Sequence, residues 1–148
     1  GKLRQIDRTE VVFRSPASED IASFVGVENL MWGTVRSIEQ GLLKISVGEG
    51  IVEAIGSQQA GREVLLTLRP EDIMLSLPGP MLSTSMRNHF RARINEISDR
   101  GALWRVIMDC GFLLVAFITR QSGMEMGLAS GSEVVASFKA TSVHVIEE

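Results

Sequence analysis

Three short segments of this chain carry side chains suited to an anion. They are Thr84-Ser85-Met86-Arg87-Asn88-His89-Phe90, Ile118-Thr119-Arg120-Gln121-Ser122-Gly123 and Phe138-Lys139-Ala140-Thr141-Ser142-Val143. Each sets hydroxyls, amide donors or a fixed positive charge beside an apolar, strand-like run, and none includes a carboxylate. A dianion with several oxygens is strongly hydrated, so a site for it must replace that shell with donors. Ser85, Arg87, Thr119, Ser122 and Lys139 offer three hydroxyls and two cations, and Gly123 would let backbone N–H groups approach closely. Three or four charge-assisted hydrogen bonds of about 1.5–3 kcal/mol each reach roughly −8 kcal/mol, which is micromolar binding. By residue type alone, Ser, Thr and Arg near turns are more often turn chemistry and solvated surface.

Other chemistries fail on composition. No Gly-x-x-x-x-Gly-Lys-Ser/Thr phosphate loop occurs, and none of the three lysines, Lys2, Lys44 and Lys139, follows a glycine-rich turn, so this chain is not expected to hydrolyse ATP. His89, His144 and Cys110 lack the spacing of metal ligands, and Cys110 reads as a buried, inert thiol. The adjacent acids Glu71-Asp72 and Glu147-Glu148 read as turn and terminus residues, because neighbours on a strand point to opposite faces. Neither an enzyme nor a cofactor is expected. Residues 1–80 hold 8 basic against 11 acidic side chains, and residues 81–148 hold 7 against 7. That balance argues against a nucleic-acid partner, although Arg87, Arg91, Arg93, Arg100 and Arg105 lie near Phe90 and Trp104. No apolar run approaches the roughly 20 residues of a membrane helix, and no signal peptide is legible, so a soluble protein is expected. One unpaired cysteine fits a reducing compartment.

The elements that must position these residues are short strands. Residues 1–26 read as a strand and then helical turns, with Ser15-Pro16 as helix start and Gly26 as its end. From Val27 the pattern is strands and turns: Gly41 marks a hairpin, Val64-Leu65-Leu66-Thr67-Leu68 a buried strand, and Ser76-Leu77-Pro78-Gly79-Pro80 a linker. After that linker the pattern repeats. Asn29 matches Asn88 and Gly41 matches Gly101, at offsets of 59 and 60. Gly61-Arg62-Glu63-Val64 matches Gly131-Ser132-Glu133-Val134, Arg69 matches Lys139 and Ile73 matches Val143, at an offset of 70. This is an internal duplication whose second copy gained about ten residues, in an interval that holds Ile118 to Leu128. One helical turn is expected over Gln121 to Leu128, capped by Thr119 or Ser122. The fold class is therefore all-β: two small OB-like Greek-key barrels in tandem with a short N-terminal helical segment. Residues 1–26 form a leading segment, 27–77 the first barrel half and 78–148 the second.

These residues closely resemble the molbindin, or Mop, domain, the molybdate- and tungstate-binding domain at the C-terminal end of molybdate-type ABC transporter ATP-binding subunits. Thr84-Ser85-Met86-Arg87-Asn88 is similar to the family's opening Ser-Ala-Arg-Asn, with Met86 in place of alanine; Ala116 to Ser122 is similar to its Ile-Thr-x-x-Ser segment; and Phe138 to Val143 is similar to its closing Lys-Ser/Ala strand entry. Residues 27–77, ending in Leu68-Arg69-Pro70-Glu71-Asp72-Ile73, resemble the related transport-associated (TOBE) type, and residues 1–26 resemble the close of an ATP-binding domain, so that the chain looks like part of a longer protein. The resemblance implies an oxyanion site of Ser85, Arg87, Asn88, Thr119, Ser122, Lys139 and Ala140, with molybdate or tungstate as ligand. It implies a homodimer in which Thr119, Ser122 and Lys139 of one subunit face Ser85 and Arg87 of its neighbour. It further implies a regulatory role at the inner face of the membrane, with ATP and a transmembrane permease as partners of the full-length protein. The first copy, with Glu28-Asn29 at the position of Arg87-Asn88 and acids after Arg69, should repel a dianion. The competing expectation is a structural accessory domain that holds two ATPase subunits together without binding an anion.

Overall fold

The computed structural model describes residues 12–13, 29–80 and 83–147. Alternation of buried and exposed side chains builds eleven strands among them: β1 (Val12–Phe13), β2 (Asn29–Glu39), β3 (Leu42–Val47), β4 (Gly50–Ile55), β5 (Glu63–Leu68), β6 (Met74–Ser76), β7 (Asn88–Arg100), β8 (Leu103–Asp109), β9 (Leu113–Thr119), β10 (Glu133–Phe138) and β11 (His144–Glu147). One short helix, α1 (Arg120–Glu125), and 3₁₀ turns at Pro70–Asp72 and Ala140–Ser142 complete the order. The all-β expectation holds. The N-terminal helical segment expected after Ser15 lies outside the described residues, although β1 pairs with the start of β2. No helix among the described residues is long and apolar enough to cross a membrane.

All strands lie in two antiparallel sheets, ordered β11-β5-β2-β3-β4, with β1 added against β2, and β6-β10-β7-β8-β9. Gln40 (φ 52°) and Gly41 (φ 79°) take the left-handed conformations that a tight β2–β3 hairpin demands. Two matching bulges, at Val35/Ser37 in β2 and Ile94/Glu96 in β7, let each long strand serve two neighbours. In both copies the residue at the bulge is tied to the loop before the fourth strand, β5 or β10. Val35 N–H donates to Arg62 O at 2.9 Å and its carbonyl accepts from Gly61 N–H at 2.8 Å, while Ile94 does the same with Ser132 and Gly131 at 2.9 and 2.7 Å. The duplication is thus visible in the backbone.

The copies do not simply stand in line. After its 3₁₀ turn, each sends its last short strand into the other's sheet: β6 pairs with β10 (Leu75↔Ala136) and β11 pairs with β5 (Val145↔Leu66). Inward side chains of both copies, including Met31, Ile45, Leu66 and Leu68 from one and Met108, Leu114, Ala136 and Phe138 from the other, form a single buried cluster. Phe90 bridges Phe112, edge to face at 5.3 Å, and Phe138, stacked at 5.9 Å.

Candidate functional site

The segment carrying Ser85 and Arg87 is tied down locally. Thr84 Oγ1 accepts from Met86 N–H at 3.1 Å, and His89 Nε2 lies 2.7 Å from Met86 O. A carbonyl only accepts, so that ring nitrogen carries the proton, and Nδ1, 2.9 Å from Ser137 Oγ, accepts from the serine hydroxyl. Ser137 is buried, so the ring is anchored in β10 and holds Met86 in place. From sequence His89 stands out only as a histidine without metal-ligand spacing. Its role as the peg beneath the Ser85–Arg87 loop depends on a register that pairs His89 with Ser137.

Asn88 is fully buried and turned toward the first copy. It accepts from Glu53 N–H at 2.7 Å and donates to Glu53 O at 2.9 Å. Asn29, its counterpart, does the same to Val115, at 2.9 and 3.0 Å, and also donates to Leu68 O at 3.2 Å. β4 and β9 are the edge strands of their sheets, and each asparagine satisfies the outward main-chain groups of the edge strand opposite it. The Asn88 side chain is therefore engaged within the protein. Arg87, next in the chain, places Nε 2.6 Å from Glu53 Oε1.

Lys139 follows directly on Phe138, which pairs with Asn88, so its backbone continues alongside that of Arg87 at the end of the ladder. It is exposed, precedes the 3₁₀ turn that starts at the buried Ala140, and has no acid partner among the described residues. In the first copy, the equivalent Arg69 is paired with Glu71, its Nε 3.0 Å from Oε2. The second copy has Thr141 at the place of that acid. The contrast read from sequence is present here: one positive position is neutralised next door and the other is not.

The hydroxyl pair belongs to α1. Thr119 is the N-cap: its Oγ1 accepts from Ser122 N–H at 3.1 Å and donates to Ser122 Oγ at 2.9 Å, which leaves Ser122 its own proton to donate. The helix closes with Gly127 at φ 67°, Gly127 N–H on Met124 O and Leu128 N–H on Gly123 O, and Leu128 is buried. Gly123 has a different reason from the one expected. It is buried on the inward side, where an added Cβ would lie 2.2 Å from Trp104 Cε3, so its smallness seats the helix on an indole ring. Outward, Thr119, Arg120, Gln121, Met124 and Glu125 line an open cleft of about 570 Å³ with Ala102.

Register sets Lys139 and the Thr119–Ser122 pair at opposite ends of β7 within one chain. Thr119 pairs with Leu103 and Leu103 with Arg100, at the far end of β7 from Asn88, which pairs with Phe138. Twelve residues of strand at about 3.3 Å each separate the two ends, roughly 40 Å of contour. Within one chain, Ser85, Arg87, Asn88, Lys139 and Ala140 share one end and Thr119 and Ser122 the other.

The remaining candidates have structural employment. Arg91 and Arg93 both reach Glu133, at 3.8 and 3.2 Å. Burial lifts the Cys110 thiol to about 11, partly offset by the Phe112 backbone, so it stays protonated near neutrality and its S–H donates to Phe112 O at 3.3 Å. No group of three or more His, Cys, Asp or Glu side chains suited to a metal ion occurs among the described residues.

The TOBE domain family matches residues 84–145. The molybdate/tungstate import ATP-binding protein WtpC of Pyrococcus horikoshii is 40% identical over 148 residues, which cover 98% of this chain and 40% of that protein. The spermidine/putrescine import ATP-binding protein PotA of Pseudomonas aeruginosa is 30% identical over 152 residues, covering 99% and 41%. The chain thus spans about two fifths of the length of these relatives. Among solved structures, the cytoplasmic molybdate-binding protein ModG, in a PEG-grown form with molybdate bound, has the same fold at a TM-score of 0.76 and 21% identity, covering 81% of this chain and 96% of that one.

Proposed function

Given that residues 84–145 are a TOBE domain and that the chain is homologous to part of a molybdate/tungstate importer's ATP-binding protein, we propose that it binds molybdate or tungstate and regulates such an importer from the cytoplasmic side. The anion lies between two protomers. Ser85, Arg87 and Lys139 of one supply the charge, Thr119 and Ser122 of the other supply hydroxyls, and the backbone around Asn88 and Ala140 completes the cradle. The observation that carries this reading is the placement of Lys139 beside Arg87, with no acid following it, in the one copy that also has α1. An anion held between protomers prefers one arrangement of them, which is what a two-state switch needs. In the whole protein, ATP and a membrane-spanning permease are the other partners.

Calorimetry with molybdate, tungstate and sulfate tests the reading. Micromolar or tighter binding of the first two is expected, with loss in Lys139→Ala and in Thr119→Ala. Mixing those two variants should restore part of the binding, because one interface of a mixed dimer then has an intact set from each side. Unchanged binding in Lys139→Ala removes the proposal. A second reading, a dimerising accessory domain without a ligand, is favoured by the likeness to PotA, whose named cargo is cationic. It requires that molybdate leave the melting temperature unchanged, whereas a ligand of the folded state raises it.

A further inference from the structure

Arg87 is already matched in this structure, and its partner comes from the other repeat. Glu53 Oε1 accepts from Arg87 Nε at 2.6 Å, and the Glu53 side chain is only 18% exposed against 54% for Arg87. The contact is prepared from both ends. Asn88, the residue after Arg87, grips the N–H and C=O of Glu53, so consecutive residues hold its main chain and its carboxylate. Glu53 lies on edge strand β4 between Ile51 and Ile55, both exposed and on the same face, while Val52 and Ala54 point into the core. The 3₁₀ turn that follows Lys139 packs against the same strand. Nothing in the segments singled out from sequence pointed to Glu53, since it stands 34 residues away in the other copy.

We propose that Glu53 is an internal counter-ion which occupies the anion-facing side of Arg87 in the empty site and sets the affinity for the oxyanion by competing with it. This rests on the reading of Arg87 as an anion ligand. The incoming dianion must draw the guanidinium away from a carboxylate or share it at close range, and either course weakens binding by like-charge repulsion. Asn88 keeps the competitor from leaving with its strand, so the competition is permanent. Glu53 thus determines how much oxyanion is needed to fill the site, without itself touching the ligand.

Molybdate titrations of the whole chain, as wild type, Glu53→Gln, Arg87→Ala and the double variant, test this, with melting curves of each in the absence of ligand. Glu53→Gln should bind about tenfold more tightly than wild type, and Arg87→Ala should abolish the gain. Equal affinities for wild type and Glu53→Gln, with or without a lower melting temperature, overturn the counter-ion and leave the oxyanion reading standing. Absence of binding in both overturns the two together, whereas binding by Glu53→Gln alone supports both.

Discussion

Two buried asparagines each tie down one residue of an edge strand, Glu53 of β4 or Val115 of β9, with a single side chain. Asn29→Ala strands the buried N–H and C=O of Val115 and should cost about 2–4 kcal/mol in urea unfolding, whereas Asn88→Ala strands the half-buried pair of Glu53 and should cost less. Their equivalence was readable from spacing alone, because a duplication preserves offsets. Their partners were not, since a bond from one copy to the other leaves no local pattern. That is why Asn88, grouped with the ligand residues by resemblance, turns out to have its side chain committed to β4. Cys110 offers a separate check. Its pKa rises from 9.0 to about 11 on folding, so the folded state keeps a proton that the unfolded chain has lost in that interval. Stability should therefore be unaffected by this group below about pH 9 and decline as pH rises toward 11, and alkylation of the native protein at pH 8 should be slow beside that of the unfolded chain.

At the scale of elements, α1 is the part that distinguishes the copies. The sequence pointed to a turn over Gln121 to Leu128 with Thr119 or Ser122 as cap, because capping is local chemistry; the helix runs Arg120–Glu125 and Thr119 is the cap. The purpose of Gly123 was hidden, since it depends on Trp104 from another strand. Gly123→Ala would press a methyl group into the indole and should tilt or unseat the helix, with fast amide exchange over residues 120–128 and little change in the strands. Thr119→Ala removes the cap and should cost about 1 kcal/mol locally, in addition to the loss of anion binding. The run Val64 to Leu68 reads as a buried strand, and Val64, Leu66 and Leu68 are fully buried in β5. The brief β6, three residues before a Pro-Gly-Pro run, had too little pattern to be seen as a strand.

The whole molecule is organised by the reciprocal loan of β6 and β11. Because β6 and β11 occupy equivalent places, residues 83–148 alone still carry a strand able to pair with β10, but a chain cannot reach back to its own β10 by the route another copy would use. That piece is expected to be a dimer in light scattering, with each partner lending its last strand. A well-folded monomer would contradict this picture. The duplication and its all-β character could be read from the sequence, but the crossing could not, because hydrophobic alternation reports which face of a strand is buried and not which sheet receives it. The exchange also bears on synthesis. A ribosome delivers residues 29–68 long before residues 144–147, and the sheet begun by the former is finished only by the latter. Maturation of the earlier half is thereby deferred until the later half has emerged, and a nascent chain stalled between them carries an open β5 flank that invites pairing with another polypeptide.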